Sequence, residues 1–70
     1  MIRVAVTWYP DGGERTVWTD MPQLPAVGDS VSLGDPDIPT MCVRHVGWCA
    51  KGAIGGALTW HAEISVGAQP

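Results

Sequence analysis

Leu58-Thr59-Trp60-His61-Ala62-Glu63-Ile64-Ser65-Val66 alternates without a break between apolar and polar side chains. Successive residues of a β-strand point to opposite faces, so this pattern puts Leu58, Trp60, Ala62, Ile64 and Val66 on a core side. Thr59, His61, Glu63 and Ser65 then face away from it. The same period of two runs through Ile2, Val4, Val6 and Trp8, set against Arg3, Ala5 and Thr7. Trp8 and Trp60 therefore belong to the core-facing set. A small all-β domain is implied before anything else is read.

Between these two strands the punctuation is dense. Tyr9-Pro10-Asp11-Gly12-Gly13-Glu14 carries several turn signals, Asp-Gly the strongest of them, and residues 15–19 return as the second arm of a hairpin. Pro22 and Pro25 each lack a backbone donor, so residues 21–26 form an extended crossing with Leu24 turned inward. A third strand is expected over residues 30–33 and a fourth over residues 41–48. In the fourth, Val43 and Val46 have opposite parity, which requires either two covered faces or a bulge, and Gly47 is the natural place for a bend. Residues 49–56, with three glycines, read as a flexible loop. Five short strands at this spacing suggest a strongly curved sheet or a small closed barrel over residues 1–66, with residues 67–70 as a frayed tail.

Seventy residues hold one core at most, which excludes a second domain, a doubly wound nucleotide fold and a TIM barrel. Seven acidic residues against four basic ones leave a net charge of −3, the wrong sign for a general nucleic-acid binder. Arg3 and Arg15 facing each other across the first hairpin would make a modest basic patch at best. No apolar run approaches the ~20 residues that span a bilayer, and no secretory signal is visible, so a cytoplasmic protein is expected. Cys42 and Cys49 are seven residues apart, so on an uninterrupted strand they point to opposite faces and about 23 Å separates them. Two reduced thiols follow.

The run Leu24-Pro25-x-Val27-Gly28-Asp29-x-Val31, followed by a strand ending Val46-Gly47-Trp48, resembles the start of the middle hairpin in SH3-like small barrels. It covers about 25 residues and implies architecture only. Gly-Asp-x-Val and Val-Gly-Trp are also similar to segments of the plasmid-borne type II dihydrofolate reductases, which share that barrel. Their pore motif is Val-Gln-Ile-Tyr; here the last strand reads Glu63-Ile64-Ser65-Val66, so that activity is not carried over.

Candidate chemistry is sparse. Cys42, His45, Cys49 and His61 are the sulfur and imidazole ligands available, but Cys-x2-His-x3-Cys is no zinc-finger spacing, and buried thiols with a surface His61 are the simpler expectation. A Cys–His nucleophilic pair from Cys49 and His61, or from Cys42 and His45, needs a proximity that spacing does not establish. Asp29, Asp35 and Asp37 have the residue type of a cation site and, more commonly, of turn formers. The glycines at 52, 55 and 56 lack the Lys-Ser/Thr ending of a phosphate loop. No catalytic residue, metal or cofactor is expected.

Four Trp and no Phe in so short a chain mean that some indoles fill the core and others form a surface. Trp18 and Trp48 lie off the clear core parity and are the expected contact residues, with Arg44 beside Trp48 as a rim charge. The expected function is a non-enzymatic module that binds a protein or peptide partner through exposed indole surface and forms a homo-oligomer. Its size suits an accessory or inhibitor protein of a phage or mobile element. The alternative is a small oligomeric enzyme or ligand carrier whose site forms at a subunit interface, since one such chain hardly encloses a pocket of ~300 Å³.

Overall fold

The computed structural model describes residues 1–69. Five strands make one strongly curled mixed sheet, a half-barrel without helices among the described residues. They are β1 (Ile2–Trp8), β2 (Arg15–Met21), β3 (Ser30–Val31), β4 (Met41–Gly52) and β5 (Leu58–Ala68). The spatial order is β2-β1-β5-β4-β3. β5 is thus the middle strand, parallel to β1 and antiparallel to β4. Barrel-like curvature is what the turn-rich pattern implied, and nothing in it is specific to SH3 domains.

The inner face holds the core. Val4, Val6, Trp8, Met41, Val43, Ala62, Ile64 and Val66 are buried there, and Leu24, Leu33 and Ile38 from residues 22–40 pack over them. That connection is held by local bonds. Asp29 Oδ2 accepts from the Ala26 amide at 2.9 Å and Asp35 Oδ1 from the Asp37 amide at 2.9 Å, so these carboxylates act as turn formers. Gly28 and Asp29 also exchange backbone bonds with Val43, which ties the crossing to β4.

Three strands run further than their composition suggested, β2 by Asp20 and Met21. β4 continues to Gly52, and Cys49-Ala50-Lys51 pair in register with β5 where a flexible loop was expected. β5 continues through Gly67 and Ala68, so half of the anticipated tail is strand; Pro70 lies outside the described residues. The hairpin closes at Gly52, whose φ is +137° and whose absent Cβ would stand 2.6 Å from the Ala57 carbonyl oxygen. Only glycine meets both conditions. β3 is shorter than expected, two residues against four.

The parity conflict in β4 resolves as a bulge between Val43 and His45, three residues before the glycine expected to bend. Val43 opposes Val66 and Val46 opposes Ile64, both on the inner face, with Arg44 as the extra residue. One inserted residue flips everything before it relative to everything after it. Cys42 and Cys49 consequently share the outer face, contrary to the uninterrupted-strand expectation, and both are free thiols.

β4 and β5 outrun the rest of the sheet as a two-stranded ribbon. β1 begins at Ile2 and pairs with β5 from Val4 opposite Ala62, while β3 reaches only Met41 and Cys42 of β4. The radius of gyration, 13.2 Å, exceeds the ~11 Å of a compact chain this long. The overhanging ribbon is the physical reason. Among the described residues, no helix is long and apolar enough to cross a membrane.

Candidate functional site

The four indoles divide by position. Trp8 is 8% exposed and is the one that fills core. Trp60 has the same parity but is 58% exposed, because β1 and the 22–40 connection do not reach over that end of β5. The expectation that it belongs to the core is therefore corrected: correct face, wrong end of the strand. Trp48, opposite Ala62 on the inner face, is 56% exposed, and Leu58 is also open. Trp48 and Trp60 stand diagonally across the ribbon, since Trp48 opposes Ala62 and Ala50 opposes Trp60. The result is an uncovered apolar strip on the inner side of the ribbon.

Its margin is an open strand edge. Beyond Val43, residues 44–52 of β4 have β5 on one side and, among the described residues, no strand on the other. Such an edge presents a row of backbone donors and acceptors to any extended chain.

Trp18 lies elsewhere. It opposes Ala5 across β1 and β2, on the outer face, and is 41% exposed. The small Ala5 lets the indole reach across β1 to His61 on β5, edge-on, with ring centroids 4.9 Å apart. Arg3 and Lys51 both stand over the indole, at 5.4 and 5.3 Å from its centroid. Ala5 and His61, at 4% and 5% exposed, are buried on a face that sequence parity assigns to solvent. His61 is thus not the surface residue expected.

Arg44 is also displaced from its expected place. Its side chain packs along the outer side of Gly67 and donates from Nη2 to the Ala68 carbonyl at 2.6 Å. The bulge turns it to the face opposite Trp48, so Trp18, Trp48 and Arg44 do not form one patch. The basic pair dissolves as well: Arg3 sits on the outer face opposite Asp20, 3.8 Å from its carboxylate, whereas Arg15 opposes Trp8 on the inner side.

The outer face does bring together Cys49 and His61, which are direct cross-strand partners. Glu63, two residues along β5, joins them, with His61 Nε2 3.2 Å from its Oε1. Cys42 and His45 stand outside this group. Glu63 was the residue that sequence reasoning missed; its signal was the i, i+2 spacing from His61. An open groove of about 510 Å³ runs between residues 21–25 and 29–32, away from these three side chains.

Compared with protein-family models, with curated proteins and with solved structures, the chain matches none.

Proposed function

We propose that the chain is a non-enzymatic protein-binding module that accepts an extended segment of its partner along residues 44–52 of β4. The observation that carries this reading is a coincidence on one ribbon: the open β4 edge borders the strip formed by Trp48, Trp60 and Leu58. Main-chain bonds to the edge would supply affinity, and alternate apolar side chains of the added strand would lie beside the indoles. Trp is a frequent anchor at such contacts, because it combines large area with few rotatable bonds. A second copy of the chain is one such donor. Two β4 edges paired antiparallel about a two-fold axis form a self-complementary contact, and a small core gains most from such burial. The same surface suits a small accessory protein that acts by occupying a host protein.

Native mass spectrometry on untagged protein recovered gently from its expressing cells tests this. The expected spectrum shows the 7.4 kDa chain in complexes, as a dimer or with another polypeptide. Trp48→Ala combined with Trp60→Ala should return it to the free chain, while Trp18→Ala should leave the complexes in place. A bare monomer at every concentration, or complexes indifferent to Trp48 and Trp60, would overturn the proposal.

A further inference from the structure

The outer face carries a second arrangement, independent of the ribbon's apolar side. Cys49 on β4 and His61 on β5 are paired strand to strand, and Glu63 follows on the same face of β5. One ligand atom from each of the three lies within 4.8 Å of the other two. Zinc bonds of about 2.0–2.3 Å to nitrogen, oxygen and sulfur give tetrahedral edges of roughly 3.3–3.6 Å. The His61 Nε2–Glu63 Oε1 separation, 3.2 Å, is within about 0.1 Å of that length. The sulfur edges need to close by no more than about 1.2 Å, within reach of a χ1 rotation of Cys49.

The surroundings fit an ion. His61 is 5% exposed and its ring is met edge-on by Trp18 of β2, which holds the imidazole in place. Glu63 has Ala5 and Gly47 as its neighbours across β1 and β4, and the His45 imidazole lies over Gly47, its Nε2 3.6 Å from where a Cβ would stand. A thiolate and a carboxylate together neutralise a divalent cation. That balance matters here, because Arg3 and Lys51 stand over the indole that packs on His61. The donor set of sulfur, nitrogen and oxygen selects against magnesium and calcium, which take oxygen ligands.

We propose that Cys49, His61 and Glu63 bind one zinc-class divalent cation, with the fourth position open to solvent. On binding, the Cys49 S–H bond breaks, a metal–sulfur bond forms and that proton passes to water; the hydrogen that His61 Nε2 donates to Glu63 leaves Nε2, a metal–nitrogen bond takes its place, and the neutral imidazole keeps its hydrogen on Nδ1. The ion ties β4 to β5 on the outer side of the ribbon that bears the exposed indoles.

The test is titration of the reduced, metal-free chain with Co²⁺, followed by displacement with Zn²⁺. One equivalent should produce a sulfur-to-cobalt charge-transfer band in the near ultraviolet together with the visible bands of a tetrahedral ion. Cys49→Ser should abolish the charge-transfer band, whereas Cys42→Ser should keep it. Glu63→Gln should weaken binding at least ~10-fold, the loss that even outer-shell partners of a metal cause. Far-UV circular dichroism of each metal-free variant confirms that its sheet is formed. Trp48→Ala with Trp60→Ala should leave the titration unchanged, which separates this site from the partner surface. A wild-type chain giving only the weak bands of hydrated Co²⁺, or a charge-transfer band that follows Cys42 instead of Cys49, would overturn the assignment.

Discussion

Trp8 and Trp60 share a face and differ in what lies over them, so replacing each with Ala separates parity from burial. An indole offers up to roughly 250 Å² to bury. At 8% exposed, Trp8 removes about 230 Å² from water; at 58% exposed, Trp60 removes about 100 Å². At 25 cal/mol per Å² these areas correspond to about 6 and about 2.5 kcal/mol. Both are upper bounds, because unfolded chains already bury part of this surface. Trp8→Ala should therefore cost about 3–5 kcal/mol, the range for a core indole, and Trp60→Ala about 1–2. Seventy residues at 0.05–0.15 kcal/mol each give a total stability of about 4–10 kcal/mol. Loss of Trp8 removes about a third of that or more; loss of Trp60 leaves a folded domain. The assay is urea unfolding followed by far-UV circular dichroism at low micromolar concentration, where self-association contributes least, with the midpoint read at constant slope. In thermal melts Trp60→Ala should fall by about 5–15 °C. Equal losses from the two substitutions, or a Trp8→Ala variant within about 1 kcal/mol of the parent, would refute the burial argument.

Gly52→Ala should destabilise the hairpin by more than about 1 kcal/mol, because a Cβ there meets the Ala57 carbonyl at 2.6 Å with φ at +137°. Faster amide exchange confined to residues 50–60 is the expected signature. Thiol titration should find two free cysteines, with half-buried Cys49 reacting before Cys42, which is buried; a single slow thiol would contradict the structure. Trp18→Ala should uncover His61 and accelerate its modification by diethylpyrocarbonate, while His45, already exposed, keeps its rate.

What the sequence made legible was the part governed by local alternation. β1 and β5 are visible because every second residue from Ile2 to Trp8 and from Leu58 to Val66 is apolar, and the turn at Asp11-Gly12 carries its own residue signature. Less legible was whatever depends on which strand lies next to which. Trp60 has core parity, yet its burial is set by where β1 begins. Cys49-Ala50-Lys51-Gly52 resembles a loop in composition and becomes strand because β5 supplies partners for it. Arg44 was assigned to Trp48's face by counting in twos, and one bulged residue reverses the count. The grouping of Cys49, His61 and Glu63 depends on that same register, which no spacing along a single strand reveals.

The position of β5 has a consequence for how the chain comes to exist. The last of these five strands to be made, β5, occupies the middle of the sheet, between β1 and β4. Until residues 58–68 have left the ribosome, β1–β2 and β3–β4 are two hairpins with no strand pairing between them. The nascent polypeptide must carry both through synthesis with their inner edges bare, and Val4 then has to find Ala62 across nearly the whole chain. Assembly is therefore a late, single event, and a ribosome stalled before residue 58 holds a product that exposes two strand edges to every chaperone and neighbouring chain.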